Sequence, residues 1–384
     1  MKSLLTARTA GGELVILTRG QSLESLREWR KQESFYCPQC KEQLLLKVGD
    51  VVIPHFAHYQ QSSCRDSFSE GESPAHLLGK SQLYELFSRY ALDVKLEPFL
   101  QDIQQRPDLL VLWGNTEVPV EFQCSTIPTS LVRQRNAGYY LLKMLPIWII
   151  LTPQVVHKSS ADTLTLRISS FLQFFIRPVQ DRMSVLLTYY PLSERFHYLS
   201  PIIHLQGSTY AARHLILPLH KQTVPFSLPS VPRQTDIREL TLHYQSARRK
   251  YLHNVIAYNQ KGIHNQFLRA CYEMRIQPVQ LPTWIGVPVQ CQEAFRESDC
   301  EWQLLLVAAA RETRKSLHQL DLSFFHTFIK KFEGEPGDLL AACRSYGEFL
   351  RDERIDIYRL DRFAEGNFVY KVLSGRFLAM HAKN

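Results

Sequence analysis

The stretch from Asp108 to Gln123 constrains this chain more than any other. Two apolar runs, Leu109 to Trp113 and Val118 to Phe122, flank Gly114-Asn115, a residue pair suited to a two-residue hairpin turn. With those two residues as the loop, Trp113 pairs with Thr116, and stepping outward along both strands pairs Asp108 with Glu121. Directly opposed residues share a face, with Cβ atoms about 5 Å apart. Gln123 lies two residues beyond Glu121 and shares that face. Opposed acids set among Leu109, Leu110, Val111, Val118, Val120 and Phe122 would repel in a dry interior. A divalent cation between them turns the repulsion into coordination.

The neighbouring segments supply a frame for this hairpin. Residues 73 to 90 read as a helix with Leu77, Leu83, Leu86 and Phe87 as core positions. Glu72, His76 and Lys80 fall at i, i+4 and i+8 and lie along one face near its start. The helix dipole alone would favour a glutamate there. Alongside the acid pair, Glu72 becomes a second-metal ligand or water-orienting base, and His76 or Lys80 a phosphate contact. An extended segment follows near Val94 to Leu100. After the hairpin come a helix from about Thr129 to Lys143 and an apolar strand at Ile147 to Leu151. That order describes a small α/β core. Mg²⁺ (or Mn²⁺) held by Asp108, Glu121 and Glu72 would activate water and neutralise phosphoryl charge. Gln123 can position a water but adds no charge.

A second pattern precedes the helix. Cys37-Pro-Gln-Cys40 is followed by a strand at Leu44 to Val48, a turn at Gly49-Asp50 and His55-Phe56-Ala57-His58. Two thiolates and two imidazoles complete a tetrahedral structural zinc site. A module this small buries little core, so the metal would supply its folding free energy. Cys64 is an alternative ligand to one of the histidines. The remaining cysteines are scattered and read as core thiols, not a disulfide framework.

A chain of 384 residues predicts two or three domains. No apolar run is long enough to span a bilayer, and no signal-peptide pattern opens the chain; the expectation is a cytoplasmic protein without membrane contact. The net charge of +8 suits a polyanionic partner. Basic and aromatic residues mix at Arg133, Arg135, Tyr139 and Tyr140, and at Tyr244, Arg248, Arg249, Lys250 and Tyr251. Such mixtures grip a phosphate backbone and stack bases, although a solvated helix face has the same composition. A Pro-rich stretch from Leu217 to Pro232 reads as a linker or surface loop.

Glu72, then Arg106-Pro107-Asp108, then Glu121-x-Gln123 resembles the PD-(D/E)xK nuclease superfamily, with glutamine in place of the usual final lysine. Together with Cys37-Pro38-x-Cys40, Pro54-His55-Phe56-Ala57-His58, Gly71-Glu72-Ser73-x-x-His76 and Glu301-Trp302-Gln303, the order of motifs is similar to the competence protein CoiA family. The resemblance implies a restriction-endonuclease-like α/β core, a central mixed sheet flanked by helices, over residues 67–160. A zinc-binding β module would precede it over 1–66, and a mainly helical region would follow over 161–384. It further implies a DNA-processing nuclease in natural transformation and recombination, acting on single-stranded, duplex or branched DNA alongside strand-exchange proteins. A DNA-binding accessory factor without useful cleavage is the alternative, and a zinc-dependent adaptor a third reading.

Overall fold

The computed structural model describes residues 3–59, 64, 73–90, 92–179, 183–226, 229–260, 262–315, 317–360 and 366–378. The chain divides into two units. One comprises Met1–Lys158, Leu187–Tyr198 and Ile216–Leu228; the other comprises Ser159–Leu186, Leu199–Leu215 and Pro229–Asn384.

The first unit opens with β1 (Ser3–Leu4), β2 (Thr6–Thr9), β3 (Leu14–Ile16), α1 (Leu23–Gln32), β4 (Phe35–Tyr36), β5 (Gln43–Lys47) and β6 (His55–His58). These strands form one sheet in the order β1-β6-β5-β4-β2-β3. Its pairings are all antiparallel; β2–β3 and β4–β5 are joined by the short connections that such pairs permit.

The core follows as α2 (Pro74–Arg89), β7 (Asp93–Leu96), β8 (Leu109–Trp113), β9 (Thr116–Gln123), α3 (Thr129–Leu141), β10 (Ile147–Leu151) and α4 (Gln154–His157). β8 and β9 make the hairpin at the counted register, Trp113 against Thr116 through Leu109 against Val120. β7 extends it antiparallel on the β8 side. β10 lies parallel to β9, with Trp148 opposite Glu121, and α3 is the crossover that a parallel pair needs. The sheet is therefore mixed. α2 starts at Ser73, whose hydroxyl accepts from the His76 N–H, with Pro74 in the first turn. It buries Leu77, Leu83, Leu86 and Phe87.

Residues 163–218 differ from the helical reading of the second half. They contain β11 (Thr163–Arg167), α5 (Ser170–Gln173), β12 (Arg177–Val179), β13 (Met183–Tyr190), β14 (Arg195–Gln206) and β15 (Thr209–Pro218). β14 is buried continuously from Phe196 to Leu205, so its sequence lacks the two-residue alternation that marks a half-exposed strand. Within the second unit β11 pairs antiparallel with β15. Within the first, the end of β13 runs parallel to β10.

From residue 234 on the chain is helical: α6 (Gln234–Ala257), α7 (Gln266–Glu273), α8 (Asp299–Glu312), α9 (Leu322–Ile329), α10 (Pro336–Asp352) and α11 (Phe368–Phe377). Trp284, Trp302 and Tyr346 are fully buried in their core. Asp299 is buried there too, accepting from the Tyr244 hydroxyl and, at 2.8 Å, from Trp302 Nε1. Burial outweighs these donors and pushes its carboxyl up to about 8.

Two predictions follow from this packing. A Cβ on Gly79 of α2 would come within 2.1 Å of the Phe122 ring on β9. Gly79→Ala should therefore destabilise by about 1–3 kcal/mol despite its gain in helix propensity, read as a lower denaturation midpoint. The folded Asp299 pKa lies above its unfolded value, so the native state holds the extra proton between about pH 4 and 8. Stability should fall as pH rises through that window, and Asp299→Asn should flatten the dependence in unfolding titrations.

Candidate functional site

The hairpin and the helices on either side of it gather an unusual set of buried charges. Asp108 stands one residue outside the β8 ladder. Its main-chain oxygen accepts from Glu97 N–H at 2.9 Å, continuing the pairing with β7. Its carboxylate Oδ2 accepts from Phe122 N–H at 2.8 Å and lies 3.1 Å from His76 Nε2 on α2. Lys80, one helical turn after His76, places Nζ 3.9 Å from Oδ1. The i, i+4 spacing read from the sequence thus delivers His76 and Lys80 to the same acid. The His76 ring also stacks on Phe122, with centroids 5.9 Å apart.

Glu121 turns to a different helix. Its carboxylate accepts from Arg135 Nη2 and from the Tyr139 hydroxyl, which share a face of α3 at i, i+4. The Arg135 guanidinium lies 5.6 Å from the Trp148 ring centroid and donates to Arg106 O at 3.3 Å. Phe122 meets α2 and Glu121 meets α3, as successive strand residues facing opposite sides of a sheet must.

The two acids titrate apart. Burial pushes Asp108 up, but the His76 charge and hydrogen bond, Lys80 and the Phe122 N–H outweigh it and hold the carboxyl well below the usual range. Burial pushes Glu121 up to about 7, with Arg135 opposing and the Asp108 charge adding to the rise. A pair driven in opposite directions by its surroundings is the arrangement that assigns separate acid and base roles.

Several site expectations change on the structure. The hairpin ladder ends at Leu109 against Val120; Asp108, at a bend beyond it, engages α2 while Glu121 engages α3, so the two carboxylates do not share a face as expected. Among the described residues His76, Asp108 and Glu121 do not belong to any group of three metal-ligating side chains close enough to share an ion. Glu72 lies outside the described residues. Gln123 Nε2 donates to Ser125 O and Oγ at 3.0 and 3.2 Å. Lys80 and Arg135, read as contacts for nucleic acid, are buried and ion-paired. Arg248 donates to the carbonyls of Leu281, Pro282 and Ile285, fastening a loop instead of presenting charge. Arg133, Arg249 and Lys250 are exposed. Glu97, which accepts from Lys80 Nζ, was not legible because nothing in its local pattern marks a buried acid. Tyr139 was visible only as part of a basic and aromatic helix.

The cysteine–histidine cluster forms in the first sheet. The ligand atoms of Cys37, Cys40, His58 and Cys64 all lie within 4.8 Å of one another, with Cys40 Sγ 3.5 Å from His58 Nε2. Three thiols and an imidazole in one closed pocket fit a structural zinc ion. Burial pushes the Cys40 thiol up, whereas coordination would hold these sulfurs as thiolates. His55, expected as the fourth ligand, lies outside this group. Residues three apart in a strand face opposite sides of the sheet, so β6 buries His58 and turns His55 away, its Nδ1 2.9 Å from Ile53 O. Cys64 takes the fourth place.

Three family descriptions match the chain: "Competence protein CoiA, nuclease-like domain" over residues 72–229, its N-terminal domain over 18–67 and its C-terminal domain over 240–354. The nuclease-like match begins at Glu72 and contains Asp108 and Glu121. Competence protein CoiA of Bacillus subtilis (strain 168) is 30% identical over 277 residues, 71% of this chain and 71% of that protein. No solved structure matches.

The cluster geometry predicts that Cys64→Ser lowers the zinc content of purified protein as far as Cys37→Ser does, while His55→Ala leaves it unchanged. Metal analysis of the three variants reads this directly.

Proposed function

Because the chain belongs to the competence protein CoiA family, we propose that it is a divalent-metal-dependent deoxyribonuclease that processes DNA in competence and recombination. The observation that carries the reading is the pair of acids at the open end of one hairpin, Asp108 just beyond the ladder and Glu121 within β9, each held by basic partners and driven in opposite directions by its surroundings. Titratable groups driven apart by burial and specific charge partners gather at functional sites.

Carboxylate oxygens suit a hard cation. Asp108, Glu121 and Glu72 are the residues that would hold Mg²⁺ or Mn²⁺. The bound ion would act as a Lewis acid and lower the pKa of its water.

The chain's own groups set the rest. Phe122 N–H and His76 fix the Asp108 carboxylate in one orientation. Glu121, raised toward neutrality by burial, is poised to take a proton from an attacking water once Arg135 yields it. Exposed Arg133, Arg249 and Lys250 offer charge to the phosphate backbone.

A second reading is a DNA-binding recombination accessory that cuts poorly or not at all. It is favoured by Gln123, an amide turned to Ser125 where a lysine would supply charge, and by the grip of Arg135 on Glu121.

Purified protein incubated with single-stranded, duplex and branched DNA should cleave at least one form with Mg²⁺ or Mn²⁺ and none with EDTA. Asp108→Ala and Glu121→Gln should each lower the rate on the order of a thousandfold, the scale of losing one transition-state charge stabiliser. Retained DNA binding with no metal-dependent cleavage assigns the accessory role instead. Cleavage that survives both substitutions removes the acid pair from the chemistry.

A further inference from the structure

Glu97 is a buried acid of the first unit with several donors around it. Its Oε2 accepts from Leu5 N–H at 3.0 Å, Thr6 N–H at 3.1 Å and the Thr6 hydroxyl at 2.9 Å. Its Oε1 accepts from Leu5 N–H at 3.1 Å and from Lys80 Nζ. The Leu5 and Thr6 amides and the Lys80 ammonium can only donate, so both carboxylate oxygens serve as acceptors. The backbone is constrained to match. Glu97 has a φ of +50°, a region that side-chain-bearing residues seldom occupy, and it precedes Pro98, which restricts it further. Such a conformation persists where its surroundings hold it.

The consequence reaches the acid pair. Lys80 is buried, and its ammonium lies between Glu97 and Asp108, in contact with the first and 3.9 Å from the second. Asp108 is the other carboxylate that Lys80 reaches among the described residues. The other side of Glu97 is the N-terminal sheet. Leu5 joins β1 to β2, and β1 is hydrogen-bonded to β6, the strand that carries the cluster residue His58.

We propose that Glu97 is a positioning residue that holds the Lys80 ammonium off Asp108 and is itself aimed by the Leu5 and Thr6 amides, so that seating of the cysteine–histidine module sets the charge environment of the acid pair. The role in cleavage rests on the nuclease reading above; the placement of Lys80 does not.

An amide at residue 97 would point an N–H₂ at one of these donors in either orientation, which makes Glu97→Gln a sharp probe. In the full chain it should shift the Lys80 ammonium resonance and speed hydrogen exchange at Leu5 and Thr6, on the order of tenfold to a hundredfold for lost charge-assisted bonds. Lys80→Met should leave those two amides protected, because their bonds to Glu97 remain. Thr6→Val, which removes one donor far from the acids and should fold, should move the Lys80 resonance in the same direction by less. An unmoved Lys80 resonance in both Glu97→Gln and Thr6→Val overturns the proposal, whether or not the protein cuts DNA.

If it does cut, Glu97→Gln and Lys80→Met should each lower kcat with KM for DNA held within about twofold. The double variant should then be no slower than the slower single one, because acting through one group makes losses non-additive. Additive losses in kcat would show that Glu97 acts independently of Lys80 and would also overturn it. Absent cleavage in the parent chain fails the nuclease reading alone and leaves the resonance and exchange results to decide the positioning.

Discussion

A buried charge must find a partner, and that requirement organises the first unit of this protein. His76, Lys80, Glu97 and Asp108 gather where α2 packs on the sheet, and Glu121 and Arg135 where α3 does. Removing one partner of such a buried pair typically costs about 3–5 kcal/mol, so the ion pairs dictate how closely and at what register the elements dock. The hairpin must bring Phe122 N–H to Asp108. α3 must return over the sheet far enough to place Arg135 and Tyr139 at Glu121. α2 must come close enough to the sheet that residue 79 has no room for a side chain. The apolar neighbours, Leu109, Val120 and Ile149 among them, are fully buried and keep water from relaxing these demands.

Much of this was readable in the residues. Gly114-Asn115 fixed the turn, the turn fixed the register, and the i, i+4 spacing of His76 and Lys80 delivered both to Asp108. What the pattern could not supply was the direction in which each acid turns. That depends on a bend at Asp108 and on two helices whose docking is a tertiary fact. Glu97 was invisible for the same reason, since all its partners except Lys80 lie more than ninety residues away. At the metal cluster the alternation rule separates His55 from His58 once β6 is known to be a strand; the sequence spacing alone left open which histidine Cys64 would replace. In the second half, continuously buried strands carried no period to recognise.

The cluster and the acid pair are linked by chemistry of different kinds. Cys37, Cys40, His58 and Cys64 suit a metal that holds a small sheet together, whereas the carboxylates suit one that acts on phosphate. Between them, Glu97 ties the backbone of the N-terminal sheet to a lysine beside Asp108.

The central claim is that Asp108 and Glu121 serve one cation. Crystals grown with Mn²⁺ and measured for its anomalous scattering would decide it. The account predicts an ion about 2.1 Å from an oxygen of each carboxylate, with Arg135 withdrawn from Glu121. Anomalous signal confined to other positions, with Arg135 still bonded to Glu121, would contradict it.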